Sequence, residues 1–367
     1  MSADVVVVGA GIVGAAVARK VAREGATVVV LDRDDRRRHA SWAAAGMLAP
    51  HAEADGSGPF FSLLLHAGAL YPAVVAALTE ETGIDVGYRN EGALLIALSD
   101  GDEVELTRRL SWQLSAGLDV DRLTATECLA LEPTVSPNLR FALRFEGDHQ
   151  IDNRLLHAAM CEAASRAGAE FRFGDAVTDV SAWGNRLRVT LESGERVDAA
   201  KVVLAAGSWS GKIGGLPRAL PVEPVRGQLI SVDMAAPFIR HVIASPRGYI
   251  VPRAGMAIIG ATAERIGFHA GVTLAGLRSL AEAAIDIVPT LGERPPTAHW
   301  SGFRPGTPDN LPILGPDPDL PALLYATGHY RNGILLAPLT GDTIGDLALG
   351  RAIDIDLTPY RPDRFPA

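Results

Sequence analysis

Three glycines near the N-terminus have the spacing for chemistry with phosphate: Gly9-Ala10-Gly11-Ile12-Val13-Gly14 reads G-x-G-x-x-G. Glycine at the first position permits a tight turn. At the second it lets the backbone approach a pyrophosphate, and at the third it lets a helix pack closely on a strand. Asp32 stands eighteen residues after Gly14, where a carboxylate can accept from ribose hydroxyls. A helix starting at Ile12 turns unpaired N–H groups and partial positive charge towards the phosphates. This set fits an adenine dinucleotide and does not choose between FAD and NAD.

The motif needs a strand before it and a helix after it. Asp4-Val5-Val6-Val7-Val8 is the short β-branched run of a strand buried on both faces. Ile12 to Glu24 predicts a helix, with Ala15, Ala16 and Ala18 for close packing, Arg19, Lys20 and Arg23 towards water, and Gly25 as its stop. Thr27 to Leu31 predicts the next strand, with Asp32 at its end. A second buried strand, Lys201 to Trp209, ends in the small residues Ala205-Ala206-Gly207-Ser208. Strand ends made of small residues meet dinucleotides in doubly wound sheets. The two halves lie far apart in sequence, so the expected α/β fold has a discontinuous Rossmann-like domain with a second domain inserted.

A length of 367 residues suits two domains, and 48% hydrophobic with 21% charged residues marks a globular chain. A net charge of −9 argues against a nucleic-acid partner. The mixed run Arg33 to Arg38 reads as a solvated loop. Val5 to Val8 is too short for a signal peptide's apolar region, and no stretch is expected to approach a membrane span. Cys128 and Cys161 form no C-x-x-C pair, which fits a reducing compartment and the cytoplasm. The scattered histidines predict no metal.

Further along, Phe60 to Thr82 predicts a core helix ending at Gly83, Asp121 to Glu132 a short surface helix, and Phe141 to Phe145 a strand. Asp152 reads as the N-cap of a helix whose apolar face is Leu155, Leu156, Ala159, Met160 and Ala163. Pro221 to Trp300, with short strands at Gln228–Val232, Tyr249–Pro252 and Met256–Gly260 and a helix at Leu274–Val288, predicts an antiparallel substrate-carrying sheet. Residues 1–86, 150–220 and 301–367 are thus assigned to nucleotide binding, and 87–149 and 221–300 to an α+β substrate domain.

Two stretches remain for the chemistry. The run of small residues from His39 to Pro50, around Gly46, lets a backbone lie against a flat ring, or packs tightly as a buried helix start. Near the end, the loop Gly328 to Gly333 leads into a helix from Ile334 to Leu349, with Pro338 expected near its first turn. N–H groups at such a helix start stabilise negative charge on the pyrimidine side of a reduced flavin.

Trp42 to Pro50, Tyr249 to Arg253, Phe303-Arg304-Pro305 and Gly328 to Pro338 resemble the glycine oxidase branch of the D-amino-acid oxidase superfamily over essentially the whole chain. The resemblance implies non-covalent FAD. Related sarcosine oxidases attach flavin through a late cysteine, and none follows Cys161 here. Beyond Gly9, Gly11 and Gly14, the matching cofactor positions are Ile12, Val13, Asp32 and Arg33. They continue through Ala40, Ser41, Ala45, Gly46, Met47, Val177 and the strand end at Gly207, then His329, Tyr330, Arg331, Asn332, Gly333, Ile334 and Leu335. Asp32 stands where the family often has Glu and makes the same ribose contact with a shorter reach.

The resemblance also implies that Arg304 grips a substrate carboxylate and that the Tyr249 hydroxyl donates to it. Arg331 lines the pocket or holds the loop over the flavin. Met47 borders the substrate. His51 and Glu53 border the entrance or form a solvated loop. The implied reaction is hydride transfer from the α-carbon of a small amino acid to flavin N5, with oxygen reduced to hydrogen peroxide. Ala263 occupies a position where relatives can carry methionine, which implies room for sarcosine, D-alanine or D-proline beside glycine. The resemblance further implies a homo-oligomer (homotetramers occur in the family) and a link to thiazole synthase in thiamine synthesis. Alternatives left open are a D-amino-acid dehydrogenase with another electron acceptor and a non-catalytic FAD-binding subunit.

Overall fold

The computed structural model describes residues 2–34, 39–236 and 238–365, so Asp35 to Arg38 of the charged run lie outside the described residues. Ser2–Val8 forms the central strand of an eight-stranded sheet. It pairs in parallel with Val28–Asp32 on one side and Arg196–Leu204 on the other. Beyond these lie Glu170–Phe173 and Leu323–Thr327, both parallel. Ile313–Pro316 and the hairpin Val177–Trp183/Arg186–Leu191 complete it, antiparallel. The central run of valines is buried on both faces, as helices cover one side and an apolar cluster the other. The strand expected at Lys201 to Trp209 runs instead from Arg196 to Leu204, and Gly207–Lys212 coils into a short helical turn.

The second sheet also has eight strands, drawn from residues 93–145 and 223–306. Its pairs are antiparallel except one, as Val242–Ser245 runs parallel to Ala93–Ala97. The boundary expected after residue 300 falls inside the strand Pro296–Gly306, which stays paired to Glu223–Met234 through Gly306. The boundary after residue 149 likewise splits the strand His149–Gln150, which pairs with Met47–Leu48.

Four further expectations change. Asp121–Thr124 is a strand, and the helix behind it starts at Ala125, because Thr124 and Glu127 form a reciprocal capping box there. Leu155 is 42% exposed. The buried face of its helix is set instead by Leu156, Ala159, Met160 and Ala163. The helix Pro59–Thr82 is long and apolar enough to cross a membrane by length and composition. Its buried stripe, including Leu63, Leu64, Ala67 and Leu78, packs against the helices Asn153–Arg166 and Gly333–Ala348. Contact with two helices demands apolar residues on more than one face, which raises the composition to that of a span.

Pro338 lies well inside the helix Gly333–Ala348, beyond the first turn. Proline has no N–H, so the carbonyl four residues back, on Ile334, loses its helical donor. The buried Tyr71 hydroxyl supplies the bond at 2.5 Å. Tyr71→Phe is therefore expected to lower stability by about 1–3 kcal/mol, the cost of leaving a buried carbonyl unpaired. An unchanged denaturation midpoint would show that the carbonyl finds another donor.

The same helix crosses Ile12–Arg23 at very short range. A Cβ on Gly341 would sit 2.6 Å from the Ala16 Cβ, and one on Gly345 would sit 2.5 Å from the Lys20 side chain. Bare backbone at these two positions brings both helix N-termini to one side of the first sheet.

Candidate active site

That side carries a cavity of about 410 Å³ at the carboxyl ends of Ser2–Val8 and Arg196–Leu204. There the following strands leave in opposite directions, so it is the switch point of the sheet, where open α/β folds bind ligands. Gly9 follows the first strand with φ +108°, and a Cβ on it would sit 2.5 Å from the Ala205 carbonyl oxygen. A Cβ on Gly14 would overlap the Gly9 carbonyl oxygen. Gly14 is thus a packing residue that does not line the cavity. Asp32 accepts from the Ala10 N–H at 2.6 Å and the Asp34 N–H at 2.8 Å, so it also pins the turn. The Ser41 hydroxyl accepts from the Ile12 N–H at 2.9 Å.

The small-residue run forms one helical turn, Ala40–Ala43, and then the strand Met47–Leu48. It is held from behind. Arg253 donates to the Ala45 and Ile151 carbonyls at 2.7 and 3.1 Å and to Asn153 Oδ1 at 3.1 Å. Asn153 donates in turn to the Ser41 carbonyl at 2.7 Å. Gly46, at φ +81°, sits where a Cβ would overlap the Ile151 carbonyl oxygen.

At the other end, Tyr330 adopts φ +48° as the loop turns into the helix Gly333–Ala348. Neither this helix nor Ile12–Arg23 has an acidic residue in its first turn, and neither N-cap residue caps through a side chain. Both N-termini contribute residues to the cavity wall and keep their partial positive charge for a ligand. His329 is 3% exposed, 3.1 Å from the Thr340 hydroxyl. Burial pushes its pKa down to about 4, so it is neutral at physiological pH.

Tyr249 and Arg304 stand on the wall between this cavity and a second, more polar one of about 880 Å³. Burial raises the Tyr249 pKa, against the pull of the Arg304 guanidinium, and keeps its hydroxyl a donor. Arg304 Nη1 donates to the Thr262 carbonyl at 3.0 Å. Arg331 grips Glu53 with two nitrogens, at 2.8 and 3.0 Å, and both side chains line the two cavities. His51 turns away from both and pairs with buried Asp148 at 2.7 Å.

Of the residues singled out in the sequence, all line the first cavity except Gly14, His51, Leu335 and Ala263. Leu335 packs in the core, one residue beyond the wall-lining Ile334. Ala263 lines the second cavity with Met47, Tyr249, Arg304 and Arg331. Trp209, with Arg33 stacked 4.8 Å above it, and Phe303 lay in stretches noted in the sequence but had no site role there, and Leu229 and Gly227 were missed. Gly227 carried a signal, since a lone glycine inside a strand marks a close approach.

Residues 4–347 match the model of the DAO family, described as FAD dependent oxidoreductase. A glycine oxidase of Geobacillus kaustophilus (strain HTA426) is 36% identical over 363 residues, covering 97% of this chain and 96% of that protein. The bifunctional protein ThiO/ThiG of Synechocystis sp. (strain PCC 6803) is 36% identical over 99% of this chain and 54% of its own length. The crystal structure of glycine oxidase from Geobacillus kaustophilus superposes with a TM-score of 0.96 at 34% identity, covering all of both chains. This chain belongs to the DAO family of FAD dependent oxidoreductases, and its cofactor is FAD.

Proposed function

We propose that this chain oxidises glycine and other small amino acids with oxygen, converting glycine, oxygen and water to glyoxylate, ammonia and hydrogen peroxide. One observation carries the reading: a half-buried tyrosine and an arginine share the wall between the dinucleotide cavity and a second cavity. When bound, FAD supplies the two-electron oxidation of the substrate's carbon–nitrogen bond.

The residues fit that group. Cβ atoms at Gly9 and Gly46 would collide with neighbouring backbone, so the wall beside them is bare main chain. The N-terminus of Ile12–Arg23 suits the pyrophosphate, and Asp32 a ribose. The N-terminus of Gly333–Ala348 suits the ring edge that gains negative charge, while neutral His329 adds no fixed charge. The first sheet thus takes the nucleotide-binding role and the second the substrate-binding role.

Arg304 takes the substrate carboxylate through parallel charge-assisted bonds, and Tyr249 donates to the same group. These contacts fix the α-carbon, leaving the neutral amine towards the second cavity. Ala263 leaves space beside the substrate for a methyl group or a small ring. Ala263→Met is expected to lower use of D-alanine and D-proline relative to glycine by about 10- to 200-fold, the range for one or a few methylene-sized clashes. Unchanged ratios of kcat/KM would place the side-chain pocket elsewhere.

The bifunctional ThiO/ThiG relatives support a functional link to thiazole synthase. A homo-oligomer is part of the same reading. The experiment is anaerobic reduction of the purified yellow protein by glycine, sarcosine, D-alanine and D-proline, followed by air. Fast bleaching by glycine with fast recovery in air supports the oxidase. Slow recovery indicates a dehydrogenase with another acceptor, and no bleaching overturns the amino-acid reading.

A further inference from the structure

Gly227 has no backbone reason to be glycine. It lies in the buried strand Glu223–Met234, paired opposite Gly302, and its φ is not in the left-handed region. The three atoms nearest an added Cβ all belong to one side chain. They are the guanidinium atoms of Arg304, with Cζ and Nη2 each at 2.6 Å. The Arg304 side chain therefore folds back and lies flat on the bare Gly227 backbone.

A second contact of Arg304 is tied to the same strand. Its Nη1 donates to the Thr262 carbonyl at 3.0 Å. Thr262 is tied to Gln228, whose N–H donates to the Thr262 hydroxyl at 3.0 Å. That hydroxyl donates to Glu264 Oε1 at 2.6 Å. Glu264 receives Gln228 Nε2 at 2.5 Å and the Arg226 guanidinium, and its N–H donates to the Arg226 carbonyl at 2.9 Å. Gln228 is 0% exposed and Arg226 is buried. The segment 226–228 and the segment 262–264 thus form one rigid piece touching Arg304 from beneath and from the side.

We propose that Gly227 is a positioning residue. Together with the Glu264-anchored Thr262 carbonyl it braces the Arg304 guanidinium before substrate arrives. The brace rests on the reading of Arg304 as the carboxylate anchor. A long arginine side chain loses rotamer freedom when it binds, and holding it in advance removes that cost from substrate binding.

The test uses Gly227→Ala holoenzyme, with acetate as an unreactive carboxylate probe titrated against the visible flavin band. Anaerobic reduction by glycine then separates half-saturation from limiting rate. The acetate dissociation constant and the glycine half-saturation are expected to rise about 10- to 100-fold, the worth of one charge-assisted bond. The limiting reduction rate should fall far less than the half-saturation rises, because uniform binding is lost. In an Arg304→Ala background the same substitution should have no further effect on acetate binding.

Normal acetate binding in Gly227→Ala, alongside weakened binding in Arg304→Ala, overturns the brace and leaves the anchor standing. An equal penalty in the presence and absence of Arg304 also overturns the brace. Normal acetate binding in Arg304→Ala overturns the anchor and the brace with it. Should Gly227→Ala fail to fold, Glu264→Gln loosens the Thr262 side. It should weaken acetate binding only when Arg304 is present, and an Arg304-independent effect overturns the proposal.

Discussion

Arg304→Ala is expected to lower kcat/KM for glycine by about 10²- to 10⁴-fold while FAD stays bound. Two charge-assisted bonds at roughly 1.5–3 kcal/mol each set that range, at about 1.4 kcal/mol per decade. The side chain projects from the second sheet, and one of its nitrogens is already satisfied by the Thr262 carbonyl. The loss should therefore fall on the substrate and not on the dinucleotide end of the cavity. Arg304→Lys keeps the charge but not the planar fork, and should recover only part of the loss. Steady-state kinetics with the flavin content measured alongside checks this. Parental glycine kinetics in the alanine variant would mean that another group holds the carboxylate.

Gly46→Ala should purify largely colourless and melt well below the parent. The residue needs φ +81°, which costs an L-residue about 1–2 kcal/mol. The added methyl would overlap the Ile151 carbonyl oxygen and press on Arg253 Nη2 at 2.9 Å. Relief requires moving the strand Met47–Leu48 off His149–Gln150, breaking the Ile151 N–H bond to the Gly46 carbonyl. It would also unseat the arginine that holds Ala45. The combined penalty is of order 4 kcal/mol or more, the size reserved for backbone conflict in a packed site. Visible absorbance per chain and the thermal midpoint are the measurements. A yellow protein with an unshifted midpoint would show that the run tolerates a rearranged turn.

The N-terminal strand, turn, helix and acidic strand end were legible because each obeys a local rule: β-branched burial, glycine at a turn, alanine at a contact. The capping box at Thr124 and Glu127 was equally local, yet the strand Asp121–Thr124 before it was not. Its pairing to Phe141–Phe145 is made by residues distant in sequence. Pro338 was misplaced because the donor that makes it tolerable, Tyr71, comes from another helix. The second sheet's parallel pair and the strand through Arg304 are likewise products of long-range pairing. Around the candidate site, charged and aromatic residues attract notice by their chemistry. Gly227 acts through what it lacks, and only the position of Arg304 reveals that.

The contact between Ala16 and Gly341 also sets how far apart the two helix N-termini stand. Two helices meeting backbone to backbone behave like tongs with a tight pivot, and the gap between their tips cannot open or close by side-chain adjustment. One tip suits a pyrophosphate and the other the far edge of an isoalloxazine ring, so the pivot works as a ruler for ligand length. The adenosine half of a dinucleotide lies beyond both tips, so the pivot bears on the flavin half alone. That spacing is built into a spot that lines neither cavity.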